Sequence, residues 1–236
     1  MEPGGYMKGH LWRLAFALGC LCLGGCATNA KVDSMATFQW TSPTKRIVLV
    51  QPDVQLMELT AGGVTETRAD WTQTAQGFIA KDITTHFSGK GAEVIHADDL
   101  QNPHDVQIAK LHGVVGQSIL LHLYTPILKL PNKGDALDWT LGPGTNDMRQ
   151  RYGADYALFI FVRDSYASAG RVAFIVGAAL LGVSVPGGQQ VGFASLVDLR
   201  TGNIVWFNRL ISASGDLRTE QPAQKTVDSL IKDLPL

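Results

Sequence analysis

Residues 155–166, DYALFIFVRDSY, decide the fold because they form the clearest strand in the chain. Aromatic and β-branched residues dominate this run, and both classes favour strands. Two further runs of the same kind follow at 190–199 and 204–212, joined by Arg200-Thr201-Gly202-Asn203. Gly and Asn adopt positive φ at low cost, so this junction predicts a β-hairpin.

Upstream of these strands, helical and extended patterns alternate. Residues 66–87 carry apolar side chains at steps of three and four, which predicts an amphipathic helix. Asn102 and Pro103 have the residue types of an N-cap and a first helical position. The remaining predicted elements are strands at 36–40, 46–51 and 92–96 and helices at 102–123, 145–152 and 222–232. This order predicts an α/β (α+β) fold, a mixed β-sheet flanked by helices, with a C-terminal β-hairpin and a terminal helix.

The amino terminus has the pattern of a lipoprotein signal peptide. Basic residues precede an apolar run at 14–23, and small residues lead into Cys26. The apolar run is about half of the roughly 20 residues that a membrane-spanning helix needs. We therefore predict a signal peptide over 1–25, acylation of Cys26 with palmitate-type chains, a lipidated tether over 26–44 and a single periplasmic domain over 45–236. Cys20 is a poorer alternative cleavage point, and Met7 is an alternative start.

The residues around the predicted cleavage point bear on the location of the protein and on its thiol chemistry. An Asp after the lipidated cysteine favours retention in the inner membrane, and Ala27 stands there instead, so we expect anchoring to the outer membrane, facing the periplasm. The chain has three cysteines, Cys20, Cys22 and Cys26. Removal of the signal and acylation of Cys26 would leave no free thiol, so no disulfide or thiolate metal site is expected.

Composition is that of a globular protein with few charges. The chain has 236 residues, of which 45% are hydrophobic and 17% charged, and its net charge is −1. Residues 1–25 carry Lys8, Arg13 and Glu2, so the processed chain would have a net charge of −2. No basic excess is available to neutralise a phosphate backbone, which argues against nucleic acid as a partner.

Two segments resemble a family of envelope proteins. Residues 153–158 read GADYAL, and residues 194–206 read ASLVDLRTGNIVW. Together they resemble a group of periplasmic lipoproteins that includes the curli-secretion channel lipoprotein, the penicillin-binding-protein activator lipoproteins, the amino-terminal domain of the Tol–Pal β-propeller protein and uncharacterised relatives. The resemblance covers roughly residues 45–233 and implies an αβ sandwich with a mixed sheet and a binding role rather than catalysis.

An apolar run, VAFIVGAALLGVSV at 172–185, departs from that pattern because a loop is expected between the strands. Three interpretations are open: a buried element of the core, a segment that faces a membrane or a partner, and a pore-forming β-hairpin. The run lacks the strict alternation of a pore-lining strand, and it is too short for a comfortable helical span. As membrane or partner contacts we single out Val172, Phe174, Ile175, Leu180 and Leu181.

The residues that usually carry chemistry form no recognisable site. His86, His96, His104, His112 and His122 show no tight metal-ligand spacing, and no nucleophile elbow is present. Gly142-Pro143-Gly144 lacks the Lys of a phosphate loop, and Asp135 and Asp138 are typical solvated loop acids. Arg163 and Asp164 are the best candidates for a polar site, because a charge on an apolar strand needs a partner. An ion pair or solvation at the end of the strand is the plainer explanation. We predict no catalytic residue, no metal and no cofactor.

The sequence thus predicts a non-enzymatic binding, assembly or regulatory factor of the cell envelope, held to the membrane by lipid. Its protein partner is unspecified, and the protein could form a homo-oligomer. One alternative is a subunit of an oligomeric export channel similar to the curli-secretion lipoprotein. A second alternative is an envelope hydrolase.

Overall fold

The computed structural model describes residues 28–35, 38–40, 45–97, 102–213 and 216–235, and within these ranges eight strands form one sheet. Five α-helices accompany the sheet in the same ranges, and the mixed α/β architecture with a late hairpin and a terminal helix confirms the predicted fold class. The strands are β1 (Thr28–Ser34), β2 (Arg46–Val50), β3 (Asp53–Leu59), β4 (Thr65–Thr67), β5 (Glu93–Ala97), β6 (Tyr156–Ala167), β7 (Gln190–Asp198) and β8 (Ile204–Ser212). The helices are α1 (Ala69–Gly89), α2 (Pro103–His122), α3 (Thr145–Tyr152), α4 (Ala169–Leu180) and α5 (Glu220–Leu230), with a 3₁₀ turn at Pro126–Leu128.

Strand β6 is the centre of the sheet. Its first part pairs in parallel with β2 and its second part in parallel with β3. Pro52 separates β2 from β3, since proline has no amide hydrogen to donate to a strand ladder. On its other side β6 is followed by β7, β8 and β1, all antiparallel to their neighbours. The order across the sheet is β1-β8-β7-β6-β2-β5, with β4 paired to β3.

Successive side chains of β6 point to opposite faces, and each face has its own core. Leu158 and Ile160 belong to the cluster that includes residues of α1 and α5. Phe159 and Phe161 belong to the cluster that includes residues of α2 and α3. Helices therefore cover both faces of the sheet, which explains why β6 is apolar at nearly every position.

The hairpin between β7 and β8 turns where the sequence predicts it. Asp198 Oδ1 accepts a hydrogen bond of 2.8 Å from the amide of Arg200. Gly202 has φ +81°, and a Cβ there would lie 2.1 Å from the carbonyl oxygen of Gly142. Only glycine fits this position, because both the backbone conformation and the close approach exclude a side chain.

The first strand differs from the prediction. A strand was expected at 36–40, whereas β1 occupies Thr28–Ser34 and pairs with the edge of β8. An edge strand can form through backbone pairing with little apolar content, and half-buried Val32 is its one large apolar residue. The predicted signal peptide and Cys26 lie outside the described residues, as does part of the predicted tether, whose described part contains β1.

Candidate functional site

The connection between β6 and β7, residues 168–189, is here called the apical segment, and it contains α4. Ser168 caps the helix, since its Oγ accepts a hydrogen bond of 3.1 Å from the amide of Arg171. Gly182, at φ +75°, ends it, and the amide of Val183 donates to the carbonyl of Ala178 at 2.9 Å. The guanidinium of Arg171 donates to the carbonyl of Pro186 at 3.0 Å, which ties the start of the segment to its end.

The apical segment exposes its apolar side chains, and no residue of α4 is buried. Leu180 is 84% exposed and Leu181 83% exposed, and Val172, Phe174 and Val176 are each about half exposed. Among the residues singled out from the sequence, Ile175 is the least exposed. Its Cδ1 packs near Gly187, 3.5 Å from where a Cβ on that residue would lie. The buried-core interpretation of 172–185 is therefore wrong. Its residues up to Leu180 belong to α4 and the rest form a turn and irregular chain, so the run does not form the two strands of a hairpin.

Pairing across the sheet places the first described residue at the same end as the apical segment. Asp164 pairs with Gln190, Gln190 with Ser212, and Ser212 with Thr28. Three strand spacings separate Asp164 from Thr28, a distance of about 14 Å. Strand β1 thus begins at the end of the sheet from which β6 leads into α4.

Length and hydropathy limit what α4 can do in a membrane. Among the helices of the described ranges, none is long and apolar enough to cross a bilayer. A helix of 12 residues such as α4 is about 18 Å long.

A polar cavity of about 160 Å³ lies at the base of the apical segment and is here called the apical cavity. It is bounded by the end of β6, the start of β7 and the segment before α5. Its walls comprise Asp164, Ser165, Tyr166, Ala167, Gly187, Gly188, Gln189, Gln190, Ala213 and Arg218. Gly188 has φ +143°, and a Cβ there would lie 2.1 Å from the carbonyl oxygen of Ser165, so bare backbone forms this wall.

Asp164 is the central side chain of the cavity and is 1% exposed. Its carboxylate accepts hydrogen bonds from the hydroxyl of Tyr166 and from Gln190 Nε2, the latter at 2.7 Å. Burial raises the pKa of Asp164 to about 6, against the lowering effect of these hydrogen bonds. Gln190 is itself held by Thr226 at 3.2 Å, and the Tyr166 hydroxyl accepts from the amide of Leu217 at 2.7 Å.

The neighbouring charge on the same strand points the other way. Arg163 Nη1 forms an ion pair of 2.8 Å with Asp53 and packs over the ring of Phe161, on the opposite face of the sheet from Asp164. Arg163 and Asp164 therefore do not form one site. The ion-pair interpretation is right for Arg163, and Asp164 instead belongs to the apical cavity.

The other polar residues considered from the sequence have local partners. His104 Nε2 lies 3.0 Å from the carbonyl oxygen of Gly144, and His122 Nδ1 lies 2.7 Å from that of Leu128. Asp135 pairs with Lys129, and Asp138 with Lys133. In the part of the chain that the structure describes, no group of three His, Cys, Asp or Glu side chains could hold a metal ion.

One pair of side chains could not be foreseen from the sequence. His112 Nε2 lies 2.8 Å from Ser195 Oγ, and both side chains are buried in the core, with the imidazole stacked on Phe159. Burial lowers the pKa of His112 to about 3, so the imidazole is neutral at physiological pH. The imidazole lies against Phe159 and Phe193 in the core, so this pair serves packing.

No protein family and no curated protein matches the sequence. Among solved structures, the chain is similar to the PelC dodecamer from Paraburkholderia phytofirmans, with 11% identity, a TM-score of 0.41 and coverage of 87% of this chain and 95% of that one. A single-substitution variant of that dodecamer gives 13% identity, a TM-score of 0.37 and coverage of 86% and 99%. These TM-scores are below 0.5, so no function is inferred from the likeness.

Proposed function

We propose that the protein is a lipid-anchored, non-enzymatic binding or assembly factor of the cell envelope, which rests on the periplasmic face of the outer membrane through its apical segment. The observation that carries this proposal is the joint position of Thr28 and the apical segment at one end of the sheet. Acyl chains at Cys26 would hold that end, and therefore α4, against the bilayer.

The reach of the chain supports this arrangement. Only Ala27 separates Cys26 from Thr28, and the two Cα–Cα steps between them span at most about 7 Å. A lipid at Cys26 would thus keep the end of the sheet within a short distance of the membrane surface. An exposed apolar helix at that end would meet the region between lipid headgroups and acyl chains, where such helices lie.

The chemistry of α4 also favours a bilayer over water. A helix that is apolar on nearly all sides is ordinarily buried in protein or in lipid. The one charged residue in α4, Arg171, already donates to the Pro186 carbonyl and lies over the ring of Phe174. Exposed apolar patches of this kind mark interaction sites. The α4 surface would add a second attachment to the acyl chains of Cys26.

Metabolic labelling with a clickable fatty acid, followed by membrane fractionation, tests the anchor. We expect wild-type protein and Cys20→Ser to carry the label and to fractionate with the outer membrane. Cys26→Ser should lose the label, because it removes the acylation site. Labelled Cys26→Ser would contradict anchoring at this residue.

Assembly state distinguishes the proposed role from the export-channel alternative. The lipidated protein in detergent and the Cys26→Ser form can be compared by sedimentation velocity. The proposal expects a monomer or small oligomer in both forms, after which cross-linking would identify the partner. A closed ring formed by the lipidated protein would support the channel instead.

A further inference from the structure

We propose that the apical cavity binds a primary ammonium group, with Asp164 as its anionic receptor. This site goes beyond the membrane attachment proposed above and does not depend on it. Two sources of such a group are a soluble amine and the ethanolamine headgroup of a phospholipid. The cavity lies beside the apical segment, so a headgroup would be close at hand if that segment rests on a membrane.

The charge balance of the cavity favours a cation. The hydrogen-bond donors to the Asp164 carboxylate are neutral, namely the Tyr166 hydroxyl and the Gln190 amide. Arg218 also lines the cavity, but its guanidinium donates to both carboxylate oxygens of Asp216, at 2.8 Å each. Asp164, Asp216 and Arg218 together carry a net charge of −1, which an ammonium ion would neutralise.

The side chains that bond to Asp164 are held in place before any ligand arrives. Gln190 is bonded at both ends of its amide, to Asp164 and to Thr226, so it cannot swing into the space. The Tyr166 ring packs against Trp71 at 5.9 Å and lies under the Arg218 guanidinium, 4.1 Å from its centroid. Polar groups that are already ordered in this way bind a ligand without a further loss of conformational entropy.

Size limits the ligand to a small group. The volume of about 160 Å³ is similar to that of an engineered protein cavity that binds benzene. An ethanolamine group fits within this volume, and the rest of a larger ligand would have to stay outside the cavity. An anion is disfavoured, because it would approach the Asp164 carboxylate and find Arg218 already paired.

Titration calorimetry and ligand-detected NMR test the proposal with defined probes on the Cys26→Ser protein at pH 7.5. Ethanolamine supplies the ammonium alone, dihexanoyl phosphatidylethanolamine supplies it on a lipid below its micelle concentration, and glycerol 3-phosphate lacks it. We expect saturable binding of the first two and none of the third. If the short lipid binds more tightly than ethanolamine, the natural ligand is the lipid headgroup. If the two bind equally, the natural ligand is a soluble amine.

Two variants make the result specific. Asp164→Asn keeps the shape of the side chain and removes the charge, so it should weaken ammonium binding at least tenfold while the protein stays folded. Asp228→Asn removes an exposed acid from α5 and should leave binding unchanged. Failure of both amines to bind folded wild-type protein, or equal binding by wild type and Asp164→Asn, would overturn the proposal. Neither outcome bears on whether Cys26 is acylated or α4 meets the membrane.

A pH series provides an independent readout, because protonation of Asp164 removes the receptor charge. Binding should fall as the pH decreases through about 6, the pKa of Asp164. The other ionisable groups at the cavity keep their charge in this range. The pKa of Asp216 is lowered by its bond to Arg218, that of Arg218 is raised by the same bond, and that of Tyr166 is raised by burial. Binding that persists unchanged at pH 4.5 would contradict the role of Asp164.

Discussion

The double substitution Leu180→Asp, Leu181→Asp should abolish attachment of the unlipidated protein to membranes. Both leucines are more than four-fifths exposed, and their transfer from water to the bilayer interface contributes about 1.5–3 kcal/mol each. Their loss therefore removes roughly 3–6 kcal/mol of binding free energy, before any cost of bringing two carboxylates to the interface. At 1.4 kcal/mol per factor of ten, the partition coefficient should fall at least about 100-fold.

The assay is co-sedimentation of Cys26→Ser protein with vesicles that contain phosphatidylethanolamine and phosphatidylglycerol. Omitting the lipid anchor tests α4 without the contribution of acyl chains at Cys26. Ile127→Asp is the matched control, since Ile127 is 90% exposed but lies in the 3₁₀ turn after α2. Thermal unfolding should be unchanged in all variants, because none of these side chains is in the core. If the double variant sediments with vesicles as well as wild type does, or the control loses as much, the membrane role of α4 is refuted.

Three further substitutions test buried charges and close packing in the fold. Asp164→Asn should raise the free energy of unfolding at pH 7.5. The folded-state pKa of about 6 lies above the ordinary 3.8, so the wild-type protein gains up to about 3 kcal/mol of stability as the pH falls from 7 towards 4. Urea titrations across that range should show that the variant has lost this pH dependence. Gly116→Ala should destabilise by about 1–3 kcal/mol in the same titrations, because its Cβ would lie 2.0 Å from the ring of Phe193; an unchanged midpoint would show that α2 can shift. Arg151→Met should lower the free energy of unfolding by about 3 kcal/mol, since it leaves the fully buried Asp105 without its cation. A double variant that also carries Asp105→Asn should recover much of that stability.

The central strands could be predicted because tertiary burial leaves a pattern in their sequence. Strand β6 is buried on both faces and is therefore apolar almost throughout. The turn before β8 has room only for glycine at position 202, and the Gly-Asn pair in the sequence is a recognisable sign of such a turn. Strand β1 has no comparable pattern. Its place in the sheet depends on backbone pairing with β8, which leaves little mark on the side chains.

The conformation of the apical segment could not be decided from its composition. Residues 172–185 mix helix-favouring Ala and Leu with β-branched Val and Ile, so local preference supports either state. The capping residues Ser168 and Gly182 were the available signals for a helix. Exposure of the run is harder to foresee, because it depends on the absence of any other element that covers it.

The apical cavity combines one predictable residue with several that sequence does not join. Asp164 is conspicuous as a charge on an apolar strand. Gln190 is its register partner on β7, and Arg218 comes from the segment before α5. Nothing in the spacing of these residues along the chain indicates that they share a cavity, which exists only once β6 and β7 pair and α5 closes over the face.

The most direct test of the central claim is the depth of α4 in a membrane that carries the natively lipidated protein. An environment-sensitive fluorophore on Leu181→Cys can be compared with one on Ile127→Cys, since the chain's own cysteines all lie within its first 26 residues and Cys26 would be acylated. The account predicts that the probe at 181 shifts to the blue and is quenched by spin-labelled lipids, while the probe at 127 stays in water. A probe at 181 that remains fully accessible to aqueous quenchers, in protein that is bound to the membrane, would contradict it.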